Sequence, residues 1–169
     1  MMRLEIDRAE SMTVPSDEAV LKAAEALLKR DDVMLPEGVV EVRLCGLEEM
    51  LELNRRYHDS DAVTDVLAFE MFDEDPATGE IIVGSIAVNH DLAAARARDW
   101  LAAAELPAEE YERYLASETI LYVLHGLLHF AGYDDELPED RREMFDMAAE
   151  VLASLGWPVV PYSGEKEDS

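Results

Sequence analysis

Cysteine is almost missing from this sequence of 169 residues, and Cys45 stands alone. A single cysteine has no partner for an internal disulfide, which excludes the small, disulfide-stapled folds of secreted domains. Long apolar runs are absent too, and no stretch reaches the roughly 20 apolar residues that a membrane-spanning helix requires. The first residues, M-M-R-L-E-I-D-R, lack the pattern of a secretory signal. These absences predict a soluble, cytoplasmic protein that does not act in a membrane.

Positive charge is also scarce: 14 lysines and arginines stand against 39 aspartates and glutamates, for a formal net charge of −25. Such a field repels phosphate backbones and argues against broad, non-specific nucleic-acid binding. It leaves open a local basic patch, or a metal ion that contacts phosphate directly. A hydrophobic content of 49% indicates a folded chain. We expect one domain over residues 1–163 and a charged, flexible tail at 164–169.

Hydrophobic periodicity divides the chain into strands and helices. Alternating or β-rich segments predict four strands, at about 2–7, 39–44, 64–69 and 80–88. Amphipathic segments predict five helices, at about 17–30, 47–57, 91–104, 108–131 and 138–155, with Ser16 and Asp91 as N-caps of the first and third. The fourth helix becomes apolar on all sides toward its end, which predicts burial. The predicted fold is α+β, a layered α/β arrangement of a mixed four-stranded sheet around a central buried helix.

The end of that buried helix carries the strongest chemical signal, the segment L-H-G-L-L-H-F-A-G-Y-D-D at 124–135. His125 and His129 are four residues apart, so a helix places both imidazoles on one face. Gly132 can take the left-handed conformation that ends a helix, and Asp135 then follows as a third ligand. Two imidazoles and one carboxylate predict a site for one divalent metal ion, with zinc as the best match and one position open to water.

Two other interpretations of this segment stay open. The same spacing occurs in zinc proteases, in which a glutamate follows the first histidine as general base. That position is Gly126 here, so a protease would lack its base. Alternatively, the histidines of a buried helix hydrogen-bond to backbone carbonyls, and Asp135 merely lies in a loop.

Three segments of the chain occur in the order and spacing of one known family. They are H-G-L-L-H-F-A-G-Y-D-D at 125–135, L-N-R-R-Y-H-D-S-D-A-V-T-D-V-L-A-F at 53–69 and, more loosely, G-S-I-A-V at 84–88. On these residues the chain resembles the YbeY-type endoribonucleases, also called rRNA maturation factors. The resemblance implies a metal-dependent, single-strand-specific endoribonuclease that uses a metal-activated water in rRNA maturation and ribosome quality control. It also implies partners, namely single-stranded rRNA precursors and the small ribosomal subunit or its proteins.

The chain departs from the family pattern at three positions. Asp135 replaces the third histidine, His58 replaces the arginine that follows the tyrosine, and Ser85 replaces an acidic residue. Aspartate can ligate zinc, so a metal site is still expected, although a more anionic one. A histidine cannot offer the bidentate fork with which an arginine holds a phosphate. These changes put the catalytic rate or the substrate in question.

A small basic cluster lies in the second segment. Arg55 and Arg56 are candidates for contact with an RNA backbone, and His58 could neutralise phosphate charge or relay a proton. Asp134 is a candidate for orienting an imidazole. Two alternative functions remain: a non-enzymatic ribosome-biogenesis factor with a structural metal, favoured by the acidic charge, and a zinc hydrolase of other substrates.

Overall fold

The computed structural model describes residues 2–162, and the tail predicted at 164–169 lies outside them. Four strands form one sheet: β1 (Met2–Arg8), β2 (Gly38–Cys45), β3 (Val66–Glu74) and β4 (Ile81–Asn89). Five α-helices accompany it: α1 (Asp17–Leu28), α2 (Leu47–His58), α3 (His90–Ala103), α4 (Tyr111–Phe130) and α5 (Pro138–Ser154). A short 3-10 turn at Ala108–Glu110 precedes α4. The prediction of an α+β fold with a mixed four-stranded sheet and five helices is confirmed.

The sheet has the strand order β1-β2-β4-β3. β1, β2 and β4 are parallel, and β3 is antiparallel to β4. The helix α1 joins β1 to β2, because a parallel connection must return along the sheet. β3 and β4 form a hairpin, and its turn is closed by hydrogen bonds from the Asp75 N–H to Glu80 and from the Gly79 N–H to Asp75. β3 is an edge strand of the sheet, and the loop that follows α2 leads directly into it.

α4 packs on one face of the sheet and is buried along most of its length. Residues from the sheet, α1 and α5 complete this core, among them the fully buried Val20, Leu27, Leu44, Ile86, Met144 and Leu152. Each such side chain contributes roughly 1.5–3 kcal/mol by leaving water. The other face carries α2 over a smaller cluster of Cys45, Met50, Leu67 and Ala87. Within residues 2–162, every helix is too short or too polar to span a membrane.

Two glycines allow α4 to lie close to the sheet. A Cβ atom at Gly126 would be 2.8 Å from Ile86 on β4. A Cβ atom at Gly84 would be 2.4 Å from the carbonyl oxygen of Phe69 and 2.6 Å from the Phe130 ring. Because neither position has room for a side chain, position 126 cannot hold the glutamate of a zinc protease unless Ile86 moves.

One predicted helix cap is wrong. The sequence predicts Asp91 as the N-cap of α3, but Asn89 holds that position, and its Oδ1 accepts the N–H of Leu92 at 3.0 Å. Asp91 instead accepts the N–H of Leu47 at 2.7 Å, at the start of α2. The N-cap of α2 is Gly46, which has no side chain for this purpose. The acceptor that α2 lacks locally is thus supplied by another helix.

One predicted strand end is also wrong. The sequence predicts that the third strand ends at about 69, but β3 continues to Glu74. Pairing with β4 resumes after an irregularity between Glu70 and Asp73, and Glu74 lies opposite Ile81. Polar residues are compatible with this pairing because β3 is an edge strand whose end is exposed to water. By contrast, the N-cap predicted for α1 is confirmed, because the Ser16 hydroxyl accepts the N–H of Ala19.

Candidate active site

An open cleft of about 940 Å³ lies beside β3. Its walls come from the end of α2, the loop before β3, the helices α3, α4 and α5, and residues 160–162. The charged residues that line it, within the described part of the chain, are five carboxylates and two arginines: Asp65, Glu70, Asp99, Glu118, Asp135, Arg96 and Arg141. Without a bound cation this cleft is net negative and repels phosphate.

The cleft contains the three residues predicted as metal ligands. His125 and His129 lie one turn apart near the end of α4, with ring centroids 5.0 Å apart. The Oδ2 atom of Asp135 lies 3.2 Å from Nε2 of His125 and 3.7 Å from Nε2 of His129. The structure therefore brings the carboxylate to both rings, as a shared site requires.

The turn after α4 places Asp135. Gly132 has a φ of +95°, and its N–H donates to the carbonyl oxygen of His129. The N–H of Tyr133 donates to Leu128, so the chain turns back along the helix that it has just left. Arg141 on α5 then donates to the carbonyl oxygen of Asp135 at 3.1 Å. The glycine turn and an arginine from the next helix together hold the carboxylate beside the histidines.

The separations of Asp135 Oδ2 from the two imidazole nitrogens are close to those between the ligand atoms of a tetrahedral metal ion such as zinc. Ligand distances of about 2.0–2.1 Å place any two ligand atoms of such an ion roughly 3.4 Å apart. The separations of 3.2 and 3.7 Å lie on either side of that value, and the three atoms all lie within 4.8 Å of one another. Two neutral imidazoles and a carboxylate are donors that zinc accepts. His125, His129 and Asp135 could therefore hold one divalent cation.

The protonation state of His129 suits this role. Burial lowers the pKa of His129, the neighbouring His125 lowers it further, and Asp135 acts in the opposite direction. A lowered pKa keeps the ring neutral at pH 7, which is the form that binds a metal ion. The side chains of His125 and His129 are 17% and 27% exposed, so both remain accessible from the cleft.

His58 lies on the wall of the same cleft. Its ring stacks on Phe69, with centroids 5.7 Å apart. Asp134 lies in the turn that carries Asp135, and its Oδ1 accepts the N–H of Glu136 at 2.8 Å. His58 therefore lines the same cleft as the three candidate metal ligands. The hydrogen bond of Asp134 instead stabilises the turn that carries Asp135.

Arg55 and Arg56 lie outside the set of described residues that line the cleft. Arg55 pairs with Asp61 at 2.7 Å, and Arg56 pairs with Glu52 at 2.8 Å. All four side chains are exposed, and such ion pairs contribute roughly 0–1 kcal/mol. Weak pairs of this kind can open, so contact between these arginines and an RNA strand that leaves the cleft stays a prediction.

Sequence reasoning passes over one buried acidic residue in the cleft, Glu118 on α4. Its side chain is only 4% exposed, and Oε2 lies 3.5 Å from Nη1 of Arg96. The hydroxyl of Tyr122 donates to the same Oε2 at 3.1 Å. Burial raises the pKa of Glu118 to about 6, although Arg96 and Tyr122 lower it. The sequence does contain a pattern that could have identified Glu118: a glutamate seven residues before His125 lies on the same helix face.

Fold and site together define the class of this protein. A mixed α+β sheet supports a buried helix that carries H-x-x-x-H, and a glycine turn adds a carboxylate at an open cleft. The class they define is an α+β protein whose open cleft contains a group of side chains that could hold a metal ion.

Comparisons with known proteins identify the family. The family model of Endoribonuclease YbeY matches residues 5–156. Endoribonuclease YbeY of Pseudomonas putida is 30% identical over 169 residues, which cover 100% of this chain and 98% of that one. Endoribonuclease YbeY of Pelotomaculum thermopropionicum is 35% identical over 147 residues, 81% of this chain and 90% of that one. The chain therefore belongs to the endoribonuclease YbeY family, and the resemblance seen in its sequence is confirmed.

A solved structure shares the fold. The solution structure of TM1509 from Thermotoga maritima matches with a TM-score of 0.52 and 24% sequence identity. The match covers 92% of this chain and 92% of that one. The layered arrangement of the sheet and α4 is thus found in an experimentally determined structure.

Proposed function

We propose that this protein is a metal-dependent, single-strand-specific endoribonuclease that acts in rRNA maturation and ribosome quality control in the cytoplasm. The observation that carries the proposal is the meeting of His125, His129 and Asp135 in an open cleft, in a chain of the endoribonuclease YbeY family. The name of the relatives supplies RNA as the substrate class. The precursor of rRNA would be cleaved on the small ribosomal subunit or in contact with its proteins.

In this proposal, His125, His129 and Asp135 hold one divalent cation, with zinc as the best match. When bound, such a cation supplies Lewis-acid activation of water and of a phosphoryl oxygen. The burial of α4 keeps both imidazoles in place, because the helix that carries them is packed on most sides. Arg141 restrains the carboxylate through the backbone of its loop. The ligands are therefore ordered before substrate arrives.

Other residues of the chain would handle the RNA itself. The His58 ring lines the cleft, where an imidazole can relay a proton or, when protonated, neutralise phosphate charge. The stacking of His58 on Phe69 limits the orientations of its ring. Arg55 and Arg56 would contact the backbone of a strand that extends past this wall.

The charge of the cleft supports metal dependence. Five carboxylates and two arginines line it among the described residues, so phosphate is repelled unless a cation is present. Chelation is therefore expected to weaken RNA binding as well as RNA cleavage. A cleft that bound RNA equally well without a cation would contradict this part of the proposal.

The test is a comparison of substrates and of two neighbouring variants. Purified protein is expected to contain about one ion per chain by mass spectrometry and to cleave an unstructured RNA, but not the same RNA in a duplex and not casein. Asp135→Ala is expected to lose both the ion and the cleavage. Asp134→Ala is the matched control, because the neighbouring Asp134 carboxylate accepts the N–H of Glu136; this variant should retain both the ion and the cleavage. Full cleavage by Asp135→Ala, or cleavage that a chelator leaves unchanged, would refute the proposal.

A non-enzymatic ribosome-biogenesis factor is the second candidate. The net charge of −25 favours binding to basic ribosomal proteins. In that case the protein would co-sediment with small ribosomal subunits, Asp135→Ala would do so equally well, and no RNA would be cleaved. A peptide hydrolase is disfavoured, because position 126 has no room for a general base beside Ile86.

A further inference from the structure

Arg141 lies near the start of α5 and lines the cleft that contains the candidate metal ligands. Its Nη1 atom donates to the carbonyl oxygen of Asp135 at 3.1 Å and to that of Glu136 at 3.2 Å. These two hydrogen bonds hold the guanidinium against the loop that carries the third candidate ligand. The arginine is therefore the immediate neighbour of a residue that would hold the cation.

The other edge of this guanidinium has no acceptor within residues 2–162. Nε of Arg141 is buried without a hydrogen-bond partner, and both hydrogen bonds that the side chain makes there use Nη1 rather than Nη2. The N–H groups of Nε and Nη2 lie side by side, and such a pair forms the fork that binds two oxygens of a carboxylate or phosphate. Because a buried donor without an acceptor is costly, this edge is suited to an oxyanion that enters the cleft.

The positive charge of Arg141 is also available. In the described part of the chain, no carboxylate forms an ion pair with it, although the sequence contains 39 aspartates and glutamates. The next residue, Arg142, pairs with Asp146 at 3.0 Å. Arg96, the other arginine among the described cleft residues, pairs with Glu118 at 3.5 Å. Of these two cleft arginines, Arg141 is therefore the one whose charge is not neutralised by a carboxylate partner.

Position 58 gives such an arginine a purpose. The chain has His58 where the family pattern has an arginine, and an imidazole cannot offer the bidentate fork of a guanidinium. The His58 ring is also stacked on Phe69, with centroids 5.7 Å apart. Arg141 reaches the same cleft from α5. It can therefore supply the fork that position 58 lacks.

We propose that Arg141 binds the substrate's phosphoryl group beside the candidate metal ligands, in place of the arginine that the family has at position 58. Nη1 keeps the loop of Asp135 in place, while Nη2 and Nε donate to phosphoryl oxygens. This inference rests on the proposed function, which supplies a phosphodiester as the substrate. Arg141 thus has two roles, a restraint on the ligand loop and a direct contact to the substrate.

Two variants of Arg141 separate these roles. In Arg141→Lys, an ammonium with three donors keeps the charge and can still donate to both loop carbonyls, but it lacks the fork. Arg141→Gln removes the charge as well. Arg113→Gln is the matched control, because Arg113 also donates to a backbone carbonyl, that of Gly156, and lies outside the set of described residues that line the cleft.

The probe is inorganic phosphate, which the protein cannot cleave. It is titrated into zinc-loaded protein by calorimetry, while heteronuclear NMR follows the Nε–H signal of Arg141, assigned by its absence from Arg141→Lys. Phosphate should shift this signal in the wild type. Arg141→Lys should keep the wild-type zinc content but bind phosphate about 10-fold more weakly, and Arg141→Gln should bind it more weakly still. Arg113→Gln should match the wild type, and cleavage of an unstructured RNA should fall in the same order.

Failure of this inference can be told apart from failure of the proposed function. If the wild type cleaves RNA but both Arg141 variants keep its phosphate affinity, or phosphate leaves the Nε–H signal unchanged, the inference is overturned and the proposed function stands. Loss of zinc from Arg141→Lys also overturns it, because the arginine would then act through its loop alone. If the wild type neither holds zinc nor cleaves RNA, the proposed function fails, and this inference fails with it.

Discussion

Replacing Glu118 with glutamine is expected to change how the stability of the protein depends on pH. Burial raises the pKa of Glu118 from 4.5 to about 6, Arg96 and the hydroxyl of Tyr122 lower it, and the charge of Asp65 raises it. A carboxyl group that binds its proton more tightly in the folded state contributes its full stability below pH 4.5. That contribution is lost as the pH rises through about 6. A difference of one in pKa corresponds to about 1.4 kcal/mol, so the loss is about 2 kcal/mol.

The measurement is the free energy of unfolding in urea between about pH 4 and pH 7. A chelator in every sample removes any contribution from bound metal. Other titrating groups are common to both proteins, so they cancel in the difference between Glu118→Gln and wild type. That difference is expected to rise by about 2 kcal/mol in favour of the variant across this range. Glu143→Gln, an exposed position on α5, is the control and should change the profile by less than about 0.5 kcal/mol.

Parallel stability profiles for Glu118→Gln and wild type would refute this reasoning. They would mean that Glu118 carries the same charge in the folded and unfolded states at each pH. The buried pair with Arg96 would then be an ordinary ionised salt bridge, and the cost of burying the carboxylate would be fully compensated by its partners.

Three further predictions concern the metal site and the local packing. Zinc at 100 times its Kd should stabilise the wild type and Asp134→Ala by about 2.7 kcal/mol, which raises Tm by roughly 5–10 °C in calorimetry. It should not stabilise Asp135→Ala. An equal shift of Tm in all three proteins would argue against Asp135 as a ligand. Gly84→Ala places a methyl group 2.4 Å from a backbone oxygen of β3 and should cost about 3 kcal/mol in urea unfolding, whereas unchanged stability would show that the strand can move away. Asp91→Ala removes the acceptor for the first N–H of α2 and should cost about 1 kcal/mol; no loss would mean that water replaces it fully.

The buried helix illustrates what local pattern can predict. The uniformly apolar end of α4 indicated burial, and the four-residue spacing of His125 and His129 indicated a shared helix face. Gly132 indicated the turn that returns the chain. Each of these follows from helix geometry within a few residues, so no knowledge of the sheet was needed.

The misassigned helix cap and the overlooked glutamate share a different physical cause. Asp91 looked like the cap of its own helix, yet it accepts an N–H of α2 across the fold. Glu118 looked like one more acid in an acidic chain, yet it is paired with Arg96 on α3. Both contacts join residues more than 20 positions apart, and periodicity within one helix carries no information about such distances.

By itself, the sequence determined the helices and strands, the buried position of α4 and the three candidate metal ligands, because the periods of helices and strands and the turn at Gly132 act over short stretches of chain. Only the tertiary structure decided that Asp135 reaches both histidines, that Gly126 faces Ile86 and that Arg96 and Glu118 share a wall of the cleft. These features depend on how α3, α4 and the sheet pack together, and packing is decided by the fit of distant surfaces rather than by any local pattern of residues.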